Sequence, residues 1–206
     1  MNEGLSETYH SVHGALQESL HVFIKNGLEH VVQGISKPIS IFEVGFGTGL
    51  NTLLTLQFST QHQTKIHYTS IEASPLTEEI WSKLNYASML DFETEFKNIH
   101  TAEWGVTQPI SADFNLLKLN ITLQRLEFSA GEFDLIYYDA FAPSKQPELW
   151  TFAILEKVVL GLKQGGVFVT YCAKGQLKRD LARLGLKVET LPGPPGKKEM
   201  VRAVKP

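Results

Sequence analysis

The run Ile41-Phe42-Glu43-Val44-Gly45-Phe46-Gly47-Thr48-Gly49-Leu50-Asn51 constrains this chain more than any other stretch. An apolar segment ends in a glutamate, three glycines alternate, and an amphipathic segment begins. Strand, glycine turn and helix start, in that order, build a ligand pocket at the tip of a parallel sheet. Gly45 and Gly47 predict a backbone that comes close to a ligand where any side chain would collide. A dinucleotide fingerprint places its third glycine three residues after the second. Here that position is Leu50, and the third glycine arrives early, at Gly49.

The pattern around the turn predicts an α/β fold. Ile39 to Val44 reads as a buried strand, Leu50 to Phe58 as a helix, and Ile66 to Ile71 as an alternating strand. Pro75 to Tyr86 reads as a helix with proline at its start, followed by a second helix. Phe114 to Phe128 is β-rich, as a hairpin or a strand plus a bend, and Phe133 to Tyr138 is an apolar strand. Glu148 to Leu162 is predicted as one helix stopped by Gly165-Gly166, then Val167 to Tyr171 as a strand and Lys174 to Leu184 as a basic helix. Leu186 to Leu191 and Met200 to Val204 close the chain as an antiparallel pair. Alternating strands and helices imply a mostly parallel sheet with helices on both faces and an antiparallel C-terminal strand. Val12, Leu16, Leu20 and Phe23 fall at helical spacing, so residues 1–36 are expected as a helical segment capping the pocket.

A length of 206 residues, 43% hydrophobic and 20% charged, suits a single domain, 1–206, with a full core. The lone cysteine, Cys172, excludes an intrachain disulfide and a cysteine-rich zinc site. The polar opening, Met1 to His10, is no signal peptide, and no apolar run reaches membrane-spanning length, so a cytoplasmic protein is expected. The seven histidines show no metal-ligand spacing on one helix face, and no metal is expected. The net charge of −3 conceals an asymmetry. Residues 157–206 carry 11 Lys+Arg against 3 Asp+Glu, a surplus of +8, whereas residues 1–156 sum to −11. Lys174, Lys178, Arg179 and Arg183 recur at helical spacing and, with Lys197, Lys198 and Arg202, make a candidate face for an anionic partner.

Three carboxylates stand where chemistry is expected. Glu72 closes the second strand, where an acid accepts hydrogen bonds from both hydroxyls of a ribose. Glu43, just before the turn, is placed to bond loop amides or to sense the positive end of a cofactor. Asp139 follows the apolar strand Leu135-Ile136-Tyr137-Tyr138 and opens the segment Asp139-Ala140-Phe141-Ala142-Pro143-Ser144-Lys145-Gln146-Pro147-Glu148-Leu149-Trp150. The carboxyl end of a central strand is where catalytic groups of an open α/β sheet sit. Pro143 and Pro147 stiffen this loop, and Phe141 and Trp150 offer faces for stacking on a base or for core packing. Cys172, at a strand end beside Lys174, reads as a buried thiol rather than a nucleophile.

The E-x-G-x-G-x-G pattern resembles the cofactor loop of class I S-adenosylmethionine-dependent methyltransferases, and other stretches narrow the likeness. Tyr9-His10-Ser11 with Gly14 and Glu18, the Glu43–Asn51 loop, the Asp139–Trp150 segment and the tail Pro192-Gly193-Pro194-Pro195-Gly196-Lys197-Lys198-Glu199-Met200 together resemble the methyltransferase domain of the MnmC family in its standalone form (MnmD). The resemblance implies a Rossmann-like fold with S-adenosyl-L-methionine as cofactor. It implies N-methylation of the aminomethyl group of 5-aminomethyl-2-thiouridine at the wobble position of tRNA. It implies cofactor contacts from Glu43, Gly45, Phe46, Gly47, Gly49, Asn51, Glu72 and Asp139, and a catalytic group of Asp139, Phe141 and Pro143. Substrate contacts are implied for Tyr9, Trp150, Lys197 and Lys198. No counterpart of the flavin-dependent oxidase domain of longer family members is expected. Two departures stand out: Gln146 replaces the family's usual Asn, and no acid between Lys118 and Phe128 matches the one that often contacts adenine, so the adenine contacts stay unassigned. The alternatives are a methyltransferase acting on a small-molecule amine, a nicotinamide oxidoreductase, and a non-catalytic binding module.

Overall fold

The computed structural model describes residues 12–33 and 38–206, with the backbone alone for Val12 and His13. Tyr9, His10 and Ser11 lie outside the described residues. Eight strands form one sheet: β1 (Ile39–Val44), β2 (Ile66–Ile71), β3 (Gln108–Ser111), β4 (Phe114–Leu119), β5 (Phe133–Tyr138), β6 (Leu162–Thr170), β7 (Lys187–Pro192) and β8 (Glu199–Val204). Their order is β3-β4-β2-β1-β5-β6-β8-β7. The five from β4 to β6 run parallel, β3 is antiparallel to β4, and β8 is antiparallel to both β6 and β7. The mostly parallel sheet and the antiparallel closing pair are those the sequence predicts.

Period-two alternation sends neighbouring side chains to opposite faces, and the sheet sorts its apolar residues accordingly. Ile39 and Ile41 of β1, Leu135 and Tyr137 of β5, and Val167 and Val169 of β6 pack with Val22, Phe23 and Leu28 of the N-terminal helices and Leu53 and Leu56 of α3 (Leu50–His62). Phe42, Val44, Ile136, Tyr138 and Phe168 face the other way, onto Leu155 and Val158 of α7 (Phe152–Leu160) and Leu177 and Leu181 of α8 (Gly175–Arg183). Helix α8 is otherwise polar, so this pair four residues apart anchors it. Truncating either leucine to alanine should cost about 2–5 kcal/mol.

The N-terminal segment comprises α1 (Val12–Ser19), a wide π-helical stretch over Leu20–Leu28 and α2 (Glu29–Val32). The Glu29 N–H reaches back to the Ile24 carbonyl, the five-residue step of a π-helix.

Several local expectations give way to tertiary packing. Pro75 to Tyr86 is not one helix: α4 covers Glu78–Trp81, a turn follows, and α5 (Tyr86–Leu90) and α6 (Glu93–Thr101) come after it. Trp81, the last residue of α4, stacks on His100, with centroids 4.7 Å apart. Glu148 to Leu162 is split by extended Thr151 into a 3-10 turn, Pro147–Trp150, and α7, which lets Leu149 and Trp150 turn inward. The helix ends before Gly161, and β6 already starts at Leu162, so Gly165-Gly166 lies within the strand rather than stopping a helix. The ladder slips between Phe133 and Leu135 of β5, where the Lys163 ammonium meets Asp134 at 2.6 Å. The β-rich stretch from Phe114 is β4 followed by an irregular loop, and its hairpin partner precedes it as β3.

Candidate functional site

The carboxyl ends of β1, β2, β4 and β5 open onto a cavity of about 950 Å³, within the range of cofactor sites. Its floor is the glycine turn. The Gly45 and Phe46 amides both donate to the Ile71 carbonyl, at 3.1 and 3.0 Å, which continues the parallel ladder past the strand ends. Gly45 has a φ of 92°, and a Cβ there would sit 2.9 Å from the Asp139 carbonyl oxygen. The chain's own second loop, rather than a ligand, is therefore what Gly45 makes room for. Gly49 (φ 74°) caps α3, and a Cβ there would strike the His100 ring at 3.0 Å.

A brace of side chains lies under this turn, and no local sequence signal announces it, because its members come from separate elements. The carbonyl of Thr48 accepts from His100 Nε2 at 3.1 Å. Burial pushes the imidazole down to about 4, so the ring is neutral at physiological pH, and a carbonyl partner requires the proton on Nε2. The buried Lys118 ammonium donates to the His100 carbonyl at 2.8 Å and stands 4.6 Å from the Trp104 ring and 5.2 Å from that of Phe46. Burial also pulls this lysine down, to about 8. Phe46 thus lines the cavity while its ring belongs to the brace.

Glu72 faces the cavity from the end of β2. Its Oε2 accepts from the Gly47 amide at 3.0 Å and its Oε1 from the Ser74 amide at 2.9 Å, so the carboxylate is aimed by backbone and keeps lone pairs for a diol. The loop from Ile121 to Gln124, after β4, forms the adjoining wall with Leu76. Leu123 is buried there and Ile121 half-buried, and the stretch contains no acid.

At the opposite side Asp139 closes β5. Its amide donates to the Val44 carbonyl at 3.1 Å, and its Oδ2 accepts from Asn51 Nδ2 at 2.8 Å. Apart from the part that faces the cavity, the carboxyl is enclosed by protein. This burial pushes it up to about 7, with Glu18 adding to the rise, while the Asn51 hydrogen bond and Lys197 oppose it. Phe141, Pro143 and Gln146 continue the wall. Tyr171 donates its hydroxyl proton to the Ala140 carbonyl at 2.8 Å. Cys172 also borders the cavity, and burial raises its thiol, the opposite of what a nucleophilic cysteine requires.

The mouth is spanned from both ends of the chain. Glu18 of α1 meets Lys197, from the loop between β7 and β8, at 2.8 Å, and that ammonium lies 4.0 Å from the centre of the Tyr171 ring. The sequence flagged Lys197 but not this pairing.

Three expected site residues sit elsewhere. Glu43 is wholly buried behind the turn, outside the cavity lining, and bonds no loop amide. It accepts instead from the Ser70 and Thr52 hydroxyls at 2.6 and 3.2 Å. Trp150 packs edge-on against Tyr138 and donates its indole proton to the Phe141 carbonyl at 2.8 Å, so it holds the Asp139 loop from behind and presents no face to a base. Lys198 is exposed and outside the lining. Tyr9 lies outside the described residues. In the basic helix, Lys178 is paired with Glu199 at 2.7 Å and Arg183 with Asp180 at 3.5 Å, so the expected cationic stripe is partly neutralised. Among the described residues no cluster of His, Cys, Asp or Glu is arranged to hold a metal ion, and no helix is long and apolar enough to cross a membrane.

With this geometry in view, the likeness to known proteins can be placed on the chain. A family model described as S-adenosyl-L-methionine-dependent methyltransferase matches residues 79–206. The tRNA 5-methylaminomethyl-2-thiouridine biosynthesis bifunctional protein MnmC of Leptospira interrogans is 32% identical over 98% of the chain, which covers 33% of that protein. The protein of the same description from Cupriavidus necator is 31% identical over 96% of the chain, covering 31% of its own length. The chain thus spans about a third of these relatives. Among solved structures, MNMC2 from Aquifex aeolicus superposes with a TM-score of 0.68 at 24% identity, over 92% of this chain and 60% of that one. Magnesium protoporphyrin IX methyltransferase from Synechocystis, solved with bound SAM, superposes at 0.56 with 12% identity over 97% and 86%. These two likenesses carry the fold: a class I methyltransferase sheet with an extra antiparallel strand, β3, at its edge.

Proposed function

The chain belongs to the S-adenosyl-L-methionine-dependent methyltransferases, and on that premise we propose that it methylates the exocyclic amine of 5-aminomethyl-2-thiouridine at the wobble position of tRNA, in the cytoplasm. The observation that carries this reading is Asp139. It stands at the inner end of the cavity, tied to Asn51 and raised to about 7, in a chain similar over nearly its whole length to part of the MnmC proteins.

The residues present fit the cofactor. Glu72 offers carboxylate oxygens at the ribose position, Ile121 to Gln124 offer a wall for adenine, and the Gly45–Gly49 turn leaves backbone exposed between them and Asp139. When bound, the sulfonium supplies a methyl group already activated for transfer, so the protein's task is alignment and proton handling. The acceptor amine must be neutral to attack. A permanently ionised carboxylate would favour the ammonium form. An aspartate poised near 7 is matched instead to take the proton and to stabilise the charge that grows on nitrogen. The Glu18–Lys197 pair keeps the mouth near neutrality, so it neither traps a cation nor repels it strongly. Phe141 and Pro143 form the wall against which the uridine rests.

Nucleoside mass spectrometry of tRNA from cells lacking the protein tests the assignment. Accumulation of the unmethylated aminomethyl nucleoside, reversed by the wild-type gene, is the expected result. Unchanged tRNA nucleosides, with transfer to a free amine in a small-molecule panel, would replace the RNA substrate by the small one.

A further inference from the structure

Glu43 is a buried acid that the proposed chemistry leaves unused, and the hydrogen-bond accounting around it does not close. Its Oε2 is satisfied by Ser70 of β2, its direct neighbour in the ladder, and by Thr52 of α3. Its Oε1 has no partner among the described residues, and neither does Asn51 Oδ1 nor the Tyr68 hydroxyl. Asn51 and Tyr68 both adjoin this carboxyl. Buried polar atoms are nearly always paired, so three orphans in one place call for a common cause. Two are pure acceptors, the carboxylate oxygen and the amide oxygen, and the Tyr68 hydroxyl has one hydrogen to give. An ionised Glu43 leaves at least one acceptor bare. One added proton removes the deficit: Glu43 O–H donates to Asn51 Oδ1, and the Tyr68 hydroxyl is free to donate to the acid or to Thr52.

We infer that Glu43 is a protonated positioning residue, which locks the Asn51 carboxamide by donating to its oxygen and so turns the amide nitrogen toward Asp139. Flipped, the amide would present its oxygen to the Asp139 carboxylate, a repulsive arrangement. The neutral acid behind breaks the tie, and Asp139 receives the donor it needs to ionise. The groups that face Glu43 agree with this state. Ser70 and Tyr68 come from β2, Thr52 and Asn51 from α3, Tyr137 from β5, and the charge that acts on it is Asp139, of like sign. Burial, the dominant influence, and Asp139 together push the carboxyl up to about 8, against the Ser70 hydroxyl and, more weakly, the neighbouring Asn51 and Tyr68. With two neighbouring acids kept in different protonation states, one is free to act as base.

The inference rests on the methyltransferase reading only for its catalytic consequence, and two readouts need no substrate. In the Asp139→Asn background, infrared spectroscopy at pH 7 should show the carbonyl stretch of a neutral carboxylic acid, and adding Glu43→Gln should remove it. In thermal unfolding the wild type should lose stability relative to Glu43→Gln as pH rises from 5 to 9, since glutamine cannot ionise. In methyl transfer, Glu43→Gln, whose amide can still donate to Asn51, should keep the pH midpoint of the wild type. Glu43→Leu should move it upward by about half a unit or more, because Asp139 loses an oriented donor. An infrared band that is missing, or untouched by Glu43→Gln, overturns the proton. A midpoint shifted as far by glutamine as by leucine overturns the positioning role. A protein that transfers no methyl to tRNA overturns the proposed substrate and leaves the infrared result standing. Should Glu43→Leu fail to fold, the glutamine variant still decides.

Discussion

The two ends of the sheet treat buried acids in opposite ways. At the amino end of β5, Asp134 is 4% exposed, and its Oδ2 accepts from the Ser40 amide at 2.9 Å and from the Lys163 ammonium at 2.6 Å. Nearby, Lys205 donates to the Val159 and Leu162 carbonyls. Each charge there has an opposite charge or a carbonyl in contact. At the carboxyl end, five residues on and just past the same strand, Asp139 has one side-chain amide donor, Glu43 behind it has two hydroxyls and a bare oxygen, and both carboxyls are raised by burial. The first arrangement leaves its buried acid fully partnered. The second stores unfavourable electrostatics where a reacting group can relieve it, the common relation between stability and active sites.

The sharpest way to break this contrast is to exchange the consequences of losing each acid. Asp139→Ala should lower methyl-transfer turnover on the order of a hundredfold, with cofactor affinity by calorimetry little changed. Asp134→Ala should leave turnover per folded molecule near that of the wild type. Near-normal turnover in the Asp139 variant would remove the functional half of the comparison.

Stability should sort in the reverse order. Asp134→Ala strands Lys163 and the Ser40 amide, and denaturant unfolding should register a loss of about 1–3 kcal/mol. Asp139→Asn should instead raise the melting temperature at pH 8. The sign follows from linkage: a carboxyl whose folded-state pKa is raised lends its stabilisation below the unfolded value and loses it as pH climbs through the folded one. For Asp139 that window runs from the ordinary aspartate range up to about 7. The asparagine advantage should therefore vanish as pH falls toward 4. An advantage of equal size at pH 4 and pH 8 would mean that the carboxyl is not strained by burial. Methyl transfer should rise with pH through the same region as Asp139 ionises.

This contrast also explains what could be read from the sequence. The glycine turn, the strand that leads into Asp139 and the closing hairpin were legible because each is local: periodicity and turn residues encode them directly. Glu43, Glu72 and Asp139 share one sequence signature, an acid at a strand end, yet only the last two line the cavity. Glu43 is still within β1, on the face of Ile39 and Ile41, and alternation alone would have pointed it toward α3. Trp150 misled because an aromatic in a functional loop reads equally as a stacking platform or as a prop. The Lys118–His100–Phe46 brace and the Glu18–Lys197 pair were invisible, since each joins residues remote in sequence whose proximity only the assembled sheet creates.

The smallest expected effect concerns where an RNA approaches. A polyanion docking at the carboxyl end meets cations on that rim, and Lys197 is already committed to Glu18 whereas Lys198 is exposed. Lys65, immediately before β2, is also exposed but lies at the amino end of the sheet. Lys198→Glu and Lys65→Glu change net charge equally, so any difference between them reports position rather than total charge. Lys198→Glu should weaken tRNA binding severalfold at moderate salt and reduce the slope of log affinity against log salt by about one, and Lys65→Glu should do neither. Equal losses in the two variants would mean that RNA is held by the general field of the protein, and the carboxyl end would lose its claim to be the docking face.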